Sequence, residues 1–302
     1  MRISGFSFGK NTSKLYYPVK EAVASILPLV DEFVFALGKS DEDDQTRALL
    51  ESLNSPKIKI IETVWDTEAY PNGMENAHQT DIAKSHCTGD WLFYVQADEV
   101  IHEDALPIIR KRLETVHDNK EVEGLMFRYL HFWGDYDHYH TAHGWYKEEI
   151  RIVRNHPDIH SWQSAQSFRR IPDFDGKSYR QREGTHKLKV VRVDAEVFHY
   201  GWVRPPELMR SKTRALDAIH KGQAASDAMH AQKPPFDYGP LDRLKPFTGS
   251  HPAVMAAFMA KFDWADQLQY SGPPRKDRKP HRHERSMNRV QSFIEQHILG
   301  GS

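Results

Sequence analysis

The chain has 302 residues, with 41 Lys and Arg against 42 Asp and Glu and a formal net charge of −1; it is long enough to bury a real core, and it carries no global field for holding nucleic acid or an anionic membrane. Its one cysteine, Cys87, excludes an intrachain disulfide and a multi-thiolate zinc site and fits a reducing compartment. The longest apolar runs, such as 22–30 with its Pro28, have about half of the roughly 20 residues a spanning helix needs, and the amino terminus lacks an apolar signal core, so the expected location is the cytoplasm.

In chain order, an apolar run at 3–8 reads as a strand ended by Gly9, and 19–30 has helical spacing with Pro18 at its first turn. A second buried strand at 33–37 is followed by Asp41, Glu42, Asp43 and Asp44 ahead of a helix at 46–53, where acidic side chains favour a helix amino terminus. A third strand at 57–62, a turn-rich stretch (Tyr70, Pro71, Asn72, Gly73), a helix at 75–86 and a fourth strand at 91–96 come next. Strands separated by single helices imply a doubly wound α/β fold, a parallel sheet covered by helices on both faces. Ligands of such sheets bind beyond the carboxyl ends of the strands, here 7–11, 38–41 and 96–99. After a helix at 103–116 the pattern shifts to longer strands at 124–133, 149–153 and 190–200, a mixed second half. From Pro205 it turns helical, at 206–221, 252–262 and 285–299, while 232–246 and 273–280 read as extended connections.

The sharpest feature is the run from Gly89 to Glu99, an apolar strand that leads directly into Asp98 and Glu99. A carboxylate at a strand tip can hold a hard divalent cation through oxygen, and such a cation neutralises a phosphate-bearing ligand. Acidic strand ends are also common without any ligand.

With these residues in place the sequence resembles the family 2 glycosyltransferases, which have the GT-A fold, and within them the bacterial branch that builds lipopolysaccharide core and related surface glycans. The resemblance rests on Gly89-Asp90-Trp91 and Gln96-Ala97-Asp98-Glu99, on Ser40, Asp41, Asp44 and Thr46 after the second strand, on Gly144-Trp145-Tyr146 with Glu148, Glu149 and Arg151-Ile152-Val153-Arg154, and on Phe198-His199-Tyr200. It covers about residues 2–215. It implies a GT-A domain over 1–204, with a nucleotide-binding half to about 117 and an acceptor half over 118–204, and a helical extension over 205–302. It further implies a nucleotide-diphosphate sugar donor, a glycan or lipid-linked acceptor, and a divalent cation, Mn2+ or Mg2+, held by Asp98 and His199. Donor contacts are expected from Ser7, Lys39, Asp41, Gln79, Asp81 and Gln96. Inverting transfer needs a carboxylate base, for which Glu148 is preferred narrowly over Glu149. Three departures stand out: Gln96 replaces the first Asp, Leu37-Gly38-Lys39 replaces the Asp that reads the base, and Thr80-Asp81 replaces an Arg-Asn pair.

The chain has 18 histidines, and His131, Asp135, Asp137, His138, His140 and His143 crowd one segment beside Trp133, Tyr136, Tyr139 and Trp145. That segment reads as a second metal cluster, an acceptor-binding loop or plain surface. Between Arg275 and Arg289 seven basic residues face two acids, a solvated linker or a weak, salt-sensitive contact with the anionic inner face of a membrane. The last helix leaves open a homodimer contact. A catalytically silent sugar-nucleotide or glycan-binding protein is the alternative function, and nucleotidyl transfer is disfavoured because the first loop is neither Gly-rich nor built around a phosphate-binding Lys.

Overall fold

The computed structural model describes residues 1–230, 236–275 and, beyond these, 278, 280, 281, 284, 285, 287 and 288. Strands β1 (Ile3–Gly9), β2 (Glu32–Gly38), β3 (Ile58–Thr63) and β4 (Trp91–Tyr94) run parallel in the order β3-β2-β1-β4, joined through α1 (Val19–Ile26), α2 (Thr46–Glu51) and α3 (Met74–Ser85). On β2, Phe33, Phe35 and Leu37 face a core shared with Val23 and Ile26 of α1 and with Ile109 and Leu113 of α4 (Ala105–Val116), while Val34 and Ala36 face the other way, towards Ala83 of α3. A strand buried on both faces needs no polar alternation, which is why these segments read as continuous apolar runs. Helix α1 buries Val19, Ala22, Val23 and Ile26, the spacing of one helical face.

Past β4 the sheet becomes mixed. Strand β8 (Glu148–Arg154) is antiparallel to both β4 and β6 (Gly124–Trp133), and β6 pairs in parallel with β11 (Val190–Trp202) on its other edge. The short β5 (Glu99–Ile101) joins β11 antiparallel, β7 (His138–His140) continues from β6, and β9 (Ile159–Trp162) with β10 (Ser167–Arg170) forms a separate hairpin. The last elements are α5 (Pro206–Lys221), α6 (Gln223–His230), β12 (Lys245–Pro246) and the single-turn α7 (Ala256–Met259).

The sequence reading misses β5, β7, α6 and the β9–β10 hairpin. Expected helix 252–262 is only a 3-10 turn, Ala253–Met255, followed by α7. The buried Trp264 turns the chain away there, its indole donating to the Gly134 carbonyl at 2.9 Å. Within expected connection 232–246, a 3-10 turn (Leu241–Arg243) and β12 form, and β12 pairs with β7. Expected helix 285–299, apart from 285, 287 and 288, and four of the seven basic residues of the basic run lie outside the described residues. No helix among those described is long and apolar enough to cross a membrane.

A second core cluster unites Phe132, Phe198 and Tyr200 of the sheet with Tyr238, Leu241, Met255, Phe258, Trp264 and Leu268. Everything in it precedes residue 269, whereas the described residues beyond Gly272 add polar contacts such as Arg278 with Glu284 and His281 with the Asp237 carbonyl, and the His281 ring edge on Trp133. A chain ending at Gly272 is therefore expected to fold, with its melting temperature lowered by no more than about 4 °C. A cooperative transition lost on truncation, followed by circular dichroism, would show that the tail belongs to the core.

Candidate functional site

A cleft of about 1030 Å³ opens at the carboxyl ends of β1 and β4, the edge where chain reversals leave room for a ligand. One side is built from Phe8 to Thr12 at the end of β1 and just after it, Trp65 and Thr67 after β3, and Gln96 to Asp98 after β4. The other is built from Trp133, Trp145, Tyr146, Trp202 and the inner face of α5 from Lys212 to His220.

Asp98 sits at the junction and is nearly buried. Its Oδ2 lies 3.5 Å from His199 Nε2 and 3.5 Å from Lys212 Nζ. Burial alone would raise its pKa, but His199, Lys212 and Arg204 hold it far below the usual carboxylate range, so it stays ionised. Gly201 makes the close approach possible, because a Cβ there would fall 2.4 Å from Asp98 Oδ2 and 2.7 Å from His199 Nε2.

The orientation of His199 follows from its neighbour. Burial and then the proximity of His199 push His131 down to about 3, leaving it neutral at pH 7. His131 Nε2 stands 2.8 Å from the Tyr146 carbonyl, which can only accept, so the proton is on Nε2 and Nδ1 is bare. His199 Nδ1, 3.0 Å away, then donates to it and turns Nε2 towards Asp98.

Glu99 does something different from Asp98. Arg151 donates to it twice, at 2.8 and 2.7 Å, and Tyr129 once, at 2.8 Å, all in a fully buried setting. The Gln96 backbone N–H completes the carboxylate's shell at 3.1 Å, so Glu99 ties the strand-tip loop to β8. The Gln96 side chain lines the cleft while its amide donates to the Ala165 carbonyl at 2.9 Å.

These contacts test the expected divalent cation. Glu99 is saturated, Gln96 brings no charge, and the donor set that remains is one carboxylate already faced by a buried ammonium, plus one imidazole. Among the described residues no three His, Cys, Asp or Glu side chains converge on one point. Hard cations of this class take several oxygen ligands with compensating negative charge, and this set does not fit one.

Of the residues expected from sequence, Gln96, Asp98 and His199 meet at the cleft. Ser7, Lys39, Asp41, Gln79, Asp81, Glu148 and Glu149 are not among its lining residues. Ser7 is buried within β1, Lys39 is exposed, and Asp41 pairs with Lys14 at 2.7 Å. Gln79 donates to Glu75 at 2.7 Å, and Asp81 anchors β9 by accepting from His160 and the Ser161 N–H. Glu148 turns outward to a paired contact with Arg192, at 2.8 and 3.0 Å. Glu149 lies on the inner side, accepting at 3.1 Å from Gln166, which lines the cleft; burial raises its carboxyl above the ordinary value, with Arg151 opposing.

In the histidine-rich segment, His138 pairs with Asp135 at 2.9 Å and His140 stacks on Trp145 at 4.3 Å between centroids, so these side chains support an aromatic wall. Trp133 stands 5.0 Å from Trp202 and 5.7 Å from Trp145. Sequence reasoning overlooked Lys212 and Arg204. The signal for Lys212 was its register: it shares the buried face of α5 with Met209, where a lysine is out of place.

No protein-family model matches the chain, and no curated protein matches it. Among solved structures it is similar to S. aureus TarS, at 14% identity over 75% of this chain and 42% of that one, with a TM-score of 0.40. TarS 1-349 in complex with UDP gives 14% identity over 76% and 70%, with a TM-score of 0.38. Glucosyl-3-phosphoglycerate synthase from Mycobacterium tuberculosis, in complex with Mn2+, UDP and phosphoglyceric acid, gives 13% over 42% and 43%, with a TM-score of 0.31. The chain thus spans well under half the length of full TarS, and scores at this level carry no argument about the site. The mixed α/β architecture, largely parallel at its centre and flanked by helices, stands on the strand order itself.

Proposed function

We propose that the protein is a glycosyltransferase that moves a sugar from a nucleotide-diphosphate donor to a hydroxyl of a glycan or lipid-linked saccharide. The observation that carries this reading is the division of the cleft at Asp98: a polar side at the sheet's carboxyl edge meets a wall of indoles. Phe8 and Trp65, 6.0 Å apart and inclined at 49°, offer aromatic contacts to a base. Trp145 and Trp202 offer stacking faces to an acceptor sugar, and the combined volume is generous for one small ligand.

In the step we propose, Glu149 takes the proton of the acceptor hydroxyl, whose oxygen bonds to the anomeric carbon as the bond from that carbon to the diphosphate oxygen breaks. The diphosphate leaves with the bonding electrons, and a single displacement inverts the centre. Glu149 is favoured over Glu148 because it lies beside a cleft-lining residue and its burial raises its basicity.

The test is a thermal-shift panel of nucleoside diphosphates followed by donor hydrolysis without acceptor. Stabilisation with slow release of nucleoside diphosphate supports the enzyme. Stabilisation without turnover supports a silent binding protein, and no stabilisation by any diphosphate defeats both. Gly201→Ala adds a steric check: pushing Asp98 and His199 apart by about 1 Å is expected to lower turnover roughly 100-fold with circular dichroism unchanged. Turnover within about twofold of the parent would move the reacting centre elsewhere.

A further inference from the structure

Among the described residues lining the cleft, Asp98 is the one carboxylate, while Lys10 and Lys212 both line it. Arg204 lies just behind, fully buried, donating to the Leu15 and Gly201 carbonyls. The fixed charge around Asp98 is therefore already positive, which suits an anion and opposes a second cation.

Lys212 is held with unusual completeness for a lysine. Its side chain is 6% exposed, its ammonium donates to the Gly201 carbonyl and faces Asp98, and the rings of Tyr17 and Trp202 stand 5.2 and 5.1 Å from it. An ammonium has three N–H donors. The Gly201 carbonyl and Asp98 account for two, and Lys212 lines the cleft. Burying a lysine this way costs stability that an apolar residue would not, so its place on the inner face of α5 calls for a ligand.

We infer that Lys212 is the resident cation of this site: its ammonium, set against Asp98, binds the diphosphate of the donor directly, and the donor binds without a divalent metal ion. This rests on the nucleotide-sugar reading and deepens it. Asp98 fixes the ammonium's position, and the compact, strongly charged head of lysine suits a phosphate as a point charge.

The experiment is calorimetric titration of the full chain with UDP, GDP, ADP and CDP, in EDTA and in Mn2+, for the parent and for Lys212→Met. At least one diphosphate is expected to bind the parent in EDTA within about threefold of its affinity in Mn2+. Lys212→Met should weaken it roughly 10- to 100-fold in both buffers, with circular dichroism confirming that the variant is folded. Binding that requires Mn2+, or a Lys212→Met protein that binds like the parent, overturns the inference and leaves the glycosyltransferase reading intact. Failure of all four diphosphates in both buffers overturns that reading and the inference with it. The EDTA arm on the parent decides the matter even if the variant does not fold.

Discussion

Arg151→Met is expected to destabilise the protein by roughly 3–5 kcal/mol, the usual consequence of leaving one partner of a buried ion pair uncompensated. Both partners are fully buried, and Arg151 fills both oxygens of Glu99 while also donating to the Ile150 and Gln166 carbonyls. Removing the guanidinium strands a carboxylate between Tyr129 and the Gln96 N–H, with no water to replace the lost charge. For a chain of this size the melting temperature should fall by roughly 10 °C. The double change Arg151→Met with Glu99→Leu should recover a large part of the loss, because two apolar side chains need no compensation. Urea midpoints for the three proteins check this. A single-variant effect below about 1 kcal/mol would mean that the strand-tip loop is held by other contacts.

The largest effect on chemistry is expected from Glu149→Gln, with turnover reduced roughly 10²- to 10⁴-fold and nucleoside-diphosphate affinity unchanged, since the base acts only in the transition state. Glu148→Gln should alter turnover by no more than about twofold, because its partner Arg192 is 70% exposed. The pH dependence separates the two further. Burial raises the Glu149 carboxyl above the ordinary value, so the parent's activity should rise with pH through that raised value as the base loses its proton. Glu149→Gln should lack this acid limb. On stability the sign is opposite: a carboxyl whose folded pKa is raised favours the native state at low pH and loses that contribution as pH rises through the folded value. The neutral amide keeps it, so Glu149→Gln should melt no lower than the parent at pH 7. Equal, modest losses from both variants would leave Glu148 as the partner of Arg192 and Glu149 as the partner of Gln166 and nothing more.

Much of the first half was legible because its strands are buried on both faces and its helices expose one polar side, so each element announces itself locally. The places of Asp98 and His199 were legible because Asp98 follows the wholly buried β4 and His199 lies in the buried last part of β11. Three-residue β5 was not, since its partner β11 lies far off in sequence; the hairpin at 159–170 is local, but its turn holds Gln163 and Ala165 at φ of 59° and 62°, where neither residue type signals a turn. The choice between Glu148 and Glu149 could not be made from adjacent identical letters. A bulge between Leu125 and Met126 in the pairing of β6 with β8, and the position of Arg192 on β11, decide which carboxylate turns inward. Lys212 was hidden because the function of a lysine on an apolar helical face depends on the carboxylate opposite it, 114 positions earlier.

The second core cluster, which joins Phe132, Phe198 and Tyr200 to residues as late as Leu268, has a consequence for how the molecule comes into being. During synthesis the parallel units of β1 to β4 can form from neighbouring segments as they leave the ribosome, but β6 waits for β11, some 66 positions later at Gly124 and Val190. The aromatic floor beneath β11 then waits for Met255, Phe258 and Trp264. A nascent chain stalled before those residues holds Asp98 on a strand tip without the packed wall that carries His199 and Lys212 to it. Arrested chains released at successive lengths should therefore acquire protease resistance in the amino-terminal sheet first, and nucleotide-dependent protection only once Leu268 has emerged.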